Sequence, residues 1–338
     1  MGLGRMAINT GYIKKANLLF NSKLEVAISI IITKNLAVKR DEKILIVYDS
    51  GKAELAKKFK KVSSELVDSI DMLRIPMLNV NAEEPKKEIA NKFIGYDALI
   101  FLTTKSLSHT KARRDATENG ARIASMPGVT ESILKRSIDV DYIRLKNDIL
   151  KVGKLLDKAK DVKINTLFGT DIKFSIAGRK AHGLMAGIYN KRGAWGNLPE
   201  GEVYIAPVEG SAEGHFVVDG SVAGFGRMVH PVIFFVENGY VKRITDGKRP
   251  FEIEKVLDKI GRNARNIAEF GIGFNRKAKI TGVVLEDEKA YGTCHLALGN
   301  NIGFGGNVDV ALHIDCVIKK PTIYLDDKMI MKKGKLLV

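Results

Sequence analysis

The sequence predicts an α/β protein: an N-terminal parallel-sheet α/β domain over residues 1–158, then a strand-rich α+β domain over residues 159–338 that carries a metal site. Three observations lead there. Buried-strand and helix patterns alternate in the first half, as in a parallel sheet with crossover helices. From about residue 160 the chain changes to short alternating segments with frequent glycine. Three good metal ligands, His295, His313 and Asp315, then fall within one short C-terminal stretch. A chain of 338 residues is long enough to bury two such cores.

The first element is a helix from Tyr12 to Leu36, despite the β-branched run Ile28 to Thr33. A polar lead from Val38 enters a buried strand, Lys43 to Tyr48, and Asp49-Ser50-Gly51 turns the chain into a helix-forming run, Lys52 to Val67. A second β-then-α unit follows, extended from Met72 to Val80 and helical from Ala82 to Phe93, with Tyr96 to Thr103 as another buried strand. A short strand from Arg122 reaches a turn at Pro127-Gly128 and feeds a helix capped by Thr130, with Glu131 in its first turn. No Gly-x-Gly-x-x-Gly turn and no Gly-x-x-x-x-Gly-Lys-Ser/Thr loop occurs. Dinucleotide and P-loop nucleotide binding therefore have no foothold, and this half reads as scaffold.

In the second half, strands over 162–167 and 171–176 flank Phe168-Gly169-Thr170, and Asn238-Gly239 gives the strongest hairpin signal. One helix interrupts, Glu252 to Ala268, with Val256, Leu257 and Ile260 at helical spacing. It runs into Glu269-Phe270-Gly271-Ile272-Gly273, where two glycines permit tight backbone beside a carboxylate.

Composition narrows the function classes. The net charge of +16 raises nucleic acid as a partner. The charge is spread evenly, however, with 26 Lys+Arg against 18 Asp+Glu in residues 1–150 and 29 against 21 in the rest. Basic clusters such as Lys57-Lys58 and Lys60-Lys61 lack interleaved aromatics, so solvated helix faces explain them and nucleic acid is not expected. The best apolar run, Val26 to Thr33, is too short to span a bilayer. The start lacks the pattern of a secretory signal, and two cysteines make no disulfide framework, so a cytoplasmic enzyme is expected. The chain has no glutamine and is rich in Lys, Ile and Glu, a balance seen in thermophiles.

Alternation along a strand sends residues i and i+2 to the same face. If Val310 to Ile318 is extended, His313 and Asp315 project together and can chelate one ion, while Cys316 faces away. The same pleat sets Cys294 opposite His295, which leaves imidazole and carboxylate ligands suited to zinc, cobalt, manganese or ferrous iron. Glu202 in Leu198-Pro-Glu-Gly-Glu-Val and Glu269 beside its two glycines bring the potential ligands to five. His182, His215 and His230 read as structural or exposed. Glu200, Glu209 and Glu213 are further acids that the sequence does not rank.

On the segments around these five residues the chain resembles the aminopeptidase T family of thermophilic two-metal peptidases, from about Val38 to Leu325 and most sharply from Asn197 onward. In that family the residues matching Glu202, Glu269, His295, His313 and Asp315 bind the metals. The resemblance implies an aminopeptidase acting on small peptides through a metal-activated water, with two ions of zinc, cobalt or manganese and a homodimeric assembly. Two departures stand against it. The family's tyrosine after the first metal-binding His is missing from Asn300 to Gly306, where Ile302 takes the nearest position, and the loop from His295 to His313 is short. Dihydroxypyridine dioxygenases, which resemble the same scaffold and hold one ferrous ion by two His and a carboxylate, are the alternative enzyme reading. A basic nucleic-acid-binding protein with a structural metal is the reading from another class.

Overall fold

The computed structural model describes residues 20–245 and 249–338. The chain forms two compact units, the first ending at Asp139 and regaining Gly187–Pro199, the second made of Val140–Ala186 and Glu200–Val338. It lays down β1 (Lys43–Tyr48), β2 (Ser69–Arg74), β3 (Ala98–Leu102) and β4 (Arg122–Ser125) in the first unit. It then enters the second for β5 (Asp161–Asn165) and β6 (Asp171–Ser175), and returns to the first for β7 (Trp195–Asn197).

The first unit is a five-stranded parallel sheet in the order β2-β1-β3-β4-β7. β1 and β3 sit inside it and are apolar almost throughout, because a strand covered on both faces has no polar side to show. Leu45, Val47, Leu99, Phe101 and Ile123 pack with Phe93, Ala112 and Ala116 as its core. Trp195 lies under the Arg113 guanidinium, 3.8 Å from the ring centroid, with His109 edge-on to it.

The expected helix from Tyr12 is described only from its later part, as Lys23–Ile30 running into a π-helical turn, Ile31–Asn35; residues 12–19 lie outside the described residues. Two other expectations shift. The strand expected over 72–80 lies at Ser69–Arg74, because Pro76 has no N–H with which to continue the ladder. The helix expected over 82–93 shrinks to Lys87–Ala90 and a turn at Asn91–Phe93, since Pro85 fits only ahead of a first turn.

The second unit opens with the longest helix among the described residues, Tyr142–Leu156, which the sequence reading did not anticipate. Asp141 caps it by accepting from the Ile143 and Arg144 amides, and Leu145, Ile149, Val152 and Leu156 form its buried stripe. The strands that follow are β8 (Glu202–Ile205), β9 (Glu213–Val218), β10 (Ser221–Val222), β11 (Gly226–Arg227), β12 (Val232–Glu237) and β13 (Tyr240–Thr245). After them come β14 (Ile267–Gly273), β15 (Thr293–Gly299), β16 (His313–Lys319), β17 (Thr322–Leu325), β18 (Lys328–Lys332) and β19 (Lys335–Leu336). They form an eight-stranded sheet, β13-β12-β9-β6-β5-β17-β18-β19, and a six-stranded sheet, β11-β10-β16-β15-β14-β8. Phe174 of β6 meets Phe270 of β14 at 5.4 Å between ring centroids, part of the core between the two sheets. Asn238-Gly239 joins β12 to β13 with both residues at positive φ, as the hairpin signal required.

The expected helix over 252–268 is a correction. It runs as Pro250–Ile260 and stops at Gly261, whose φ of 104° ends a helix, so Ile267, Ala268 and Glu269 belong to β14 instead. Among the described residues no helix is long and apolar enough to cross a membrane.

Candidate metal centre

Strand register assembles the site. Opposed residues in antiparallel neighbours share a face. The pairs Gly273 with Glu202, Gly271 with Tyr204 and with His295, Ala297 with Glu269 and with Asp315, and Gly299 with His313 put all five expected ligands on one face of β8-β14-β15-β16. The strand holding His313 and Asp315 begins at His313 rather than Val310, which leaves the alternation of the two residues intact. Cys294 and Cys316 are buried on the opposite face, and burial raises both thiols above their usual range, so they stand apart from the cluster.

The small residues between the ligands have a geometric purpose. A β-carbon on Gly271 would stand 2.1 Å from Cε1 of His295, so the imidazole lies directly over this glycine. A β-carbon on Gly273 would stand 2.2 Å from the Ala290 carbonyl, so this glycine lets the Glu288–Ala290 turn close on the sheet. The Glu-x-Gly-x-Gly spacing thus makes room for one ligand and for a turn that brings in two more charged groups.

His295 is fully buried, with Nε2 3.2 Å from Glu269 Oε1 and 3.6 Å from Glu202 Oε2. His313 is the most open of the five, its side chain 32% exposed, with Nε2 3.3 Å from Glu269 Oε2 and 3.4 Å from Asp315 Oδ1. Its Nδ1 lies 2.9 Å from the Asn300 carbonyl; if Nδ1–H donates there, Nε2 is free for an ion. Glu269, His295 and Asp315 each offer a ligand atom within 4.8 Å of the others.

The charges of the cluster suit a divalent cation. Burial alone would lower His295, but the hydrogen bond to Glu269 and the charges of Glu202, Glu269 and Asp315 outweigh it and raise it to about 9. Burial is likewise overcome at Glu269, which the two histidines hold below the usual carboxylate range. Imidazoles and carboxylates interleaved in this way form a donor set whose negative charge a divalent ion would balance. His295 Nδ1 and Glu202 Oε2 have no hydrogen-bond partner.

Four residues around the cluster escaped the sequence reading. Lys289, 1% exposed in its side chain, sets its ammonium against Glu288 and 2.5 Å from Glu202 Oε1. Tyr204 stacks on His182 at 5.6 Å, and Phe304 meets Tyr204, His182 and His313 edge-on. Burial and the charges of Glu269, Glu202 and Glu200 raise the Tyr204 phenol, which keeps it a proton-bearing donor. The i+2 relation to Glu202 could have found Tyr204; nothing local marks Lys289. Of the histidines expected to be structural or exposed, His182 is packed in this aromatic rim. Glu209 accepts from Asn301 and the Asn307 amide, and Glu213 accepts from the Asn238 amide, so both anchor loops instead of facing a substrate.

Comparison with known proteins gives the family. The family model described as NicX, 2,5-dihydroxypyridine 5,6-dioxygenase, matches residues 36–338. A 2,5-dihydroxypyridine 5,6-dioxygenase of Pseudomonas putida is 24% identical over 259 residues, 70% of each chain. Among solved structures, the 2,5-dihydroxypyridine dioxygenase of Pseudomonas putida KT2440 is similar with a TM-score of 0.81 at 17% identity, covering 94% of this chain and 99% of that one. Wild-type AmpT from Thermus thermophilus is similar with a TM-score of 0.72 at 15% identity, covering 94% and 99%. These two likenesses show a shared fold. The expectation of a metalloaminopeptidase, a hydrolase releasing residues from peptides, is corrected by the family match. The ligand pattern misled because two chemistries are carried on one scaffold.

Proposed function

The chain belongs to the 2,5-dihydroxypyridine 5,6-dioxygenase family, and from that membership we propose that it is a mononuclear non-haem iron enzyme opening a dihydroxylated aromatic ring. The observation that carries the reading is the convergence of two imidazole Nε2 atoms on the Glu269 carboxylate, the donor set of two His and one carboxylate that suits ferrous iron. Iron replaces the zinc, cobalt or manganese expected from the peptidase resemblance. His295, His313 and a carboxylate from Glu269 or Asp315 would hold it. When bound, it supplies dioxygen activation and a positive charge for a phenolate oxygen of the substrate.

The chain's own residues bind and orient. His295 is sealed beneath the sheet face while His313 is partly exposed, so substrate reaches the centre from the side of His313 and Phe304. Tyr204, His182 and Phe304 give a planar ring an aromatic wall, with edges and faces at ordinary packing distance. The Tyr204 hydroxyl, kept protonated, would be a donor for an oxyanion developing on the ring. The test is oxygen uptake by anaerobically iron-loaded protein. 2,5-Dihydroxypyridine should drive consumption of one dioxygen per ring lost, and a pyridine with a single hydroxyl should drive far less. No uptake with either ring by protein carrying a full iron complement would overturn the proposal.

A further inference from the structure

Among the described residues, those that could hold a cation fall into two groups sharing His295: Glu269 with Asp315, and Glu202 with Glu288. The second group has its cation already. Lys289 Nζ lies against Glu288 and 2.5 Å from Glu202 Oε1, and the side chain is 1% exposed. Its companion oxygen, Glu202 Oε2, is buried without a hydrogen-bond partner. His295 presents a single Nε2 to the cluster, so it can serve one ion only.

We propose that the Lys289 ammonium is a resident counter-cation occupying the place of a second metal ion, and that it limits this chain to one metal ion per site. The proposal rests on the metal-binding reading above but not on the identity of the substrate. A buried charge is tolerated only when paired, and two buried carboxylates need a positive partner. A covalently attached ammonium fills that need permanently, carries no open coordination position and cannot bridge a hydroxide between two ions. The glycine at 273 is part of the same device, because a side chain there would push the Glu288–Ala290 turn away from the sheet. Lys289 is thus a positioning and specificity residue: its place in the cluster separates one-ion chemistry from the two-ion chemistry that the five ligands would otherwise permit.

Metal stoichiometry tests this without reference to turnover. Metal-free protein dialysed against zinc should take up one equivalent per chain, and Lys289→Ala should take up two, held by Glu202 and Glu288 and completed by water. Loaded with manganese, the variant should replace the six-line spectrum of an isolated ion with a spin-coupled one. Should the single variant fail to fold, Lys289→Ala with Glu288→Gln, which leaves one carboxylate to balance, is the deciding variant and should still take up a second, weaker equivalent. Two zinc ions in the wild-type protein, or one ion only in a folded variant lacking Lys289, would overturn the proposal. One ion without oxygenase activity would leave it standing and overturn the functional reading instead.

Discussion

His313 is the partly exposed member of the candidate metal face, its side chain 32% exposed, whereas Asp315 and His295 are buried. Both His313 and Asp315 stand at the start of β16, so removing either should leave a folded protein with a crippled centre. His313→Ala and Asp315→Ala should each weaken zinc binding more than the roughly 10–100-fold typical of an outer partner, as read by competition with a chromophoric chelator; unchanged affinity in both would remove them from the ligand set. Tyr204 should behave differently. Tyr204→Phe keeps the aromatic wall but deletes the donor, so iron content should be unchanged while kcat falls on the order of 10²-fold, within the range for one oriented donor. Equal turnover would make Tyr204 a packing residue. Sequence alternation revealed His313 and Asp315 as a pair because two residues on one strand suffice to define that geometry. Lys289 was not legible, since its importance depends on a glycine sixteen positions earlier admitting its turn.

Strands and turns set how accurately those ligands are held. A methyl group at Gly271 would collide with the His295 ring, and overpacking of this kind costs about 1–3 kcal/mol. Gly271→Ala should lower both thermal stability and metal affinity, because the imidazole must tilt away from Glu269; retention of wild-type affinity would show that the glycine is not what seats His295. The cap of the Tyr142–Leu156 helix offers a contrast. Asp141→Ala removes the one oxygen that accepts from two amides, costing about 1 kcal/mol, and denaturant unfolding should detect that loss while metal affinity is unchanged. The legible elements were those whose local pattern agreed with their surroundings. β1 declared itself by a polar lead and a continuous apolar run, and the β12-β13 hairpin by Asn238-Gly239. The helix expected through residue 268 overran because the residues after Gly261 keep an apolar rhythm, and only the positive φ at that glycine shows where the helix stops.

Across the whole molecule the α/β class and the change of texture between halves were readable, because periodicity reports which faces are buried. The reaction was not. The ligand set fits either of two chemistries, and the family match over residues 36–338 is what favours one, because a few strand positions carry the ligands while the rest of the chain carries the family. Metal binding should stabilise the second unit only: at 100 times its Kd a bound ion adds about 2.7 kcal/mol. Calorimetry should show one unfolding transition moving upward with zinc, an effect absent in His313→Ala. If the proposed dioxygenase reaction is correct, both atoms of dioxygen enter the opened ring. Product mass after turnover of 2,5-dihydroxypyridine under ¹⁸O₂ tests it most directly. A ring-opened product should carry two labelled oxygen atoms; a product labelled only from water, or an unopened ring after turnover, would rule the proposed reaction out.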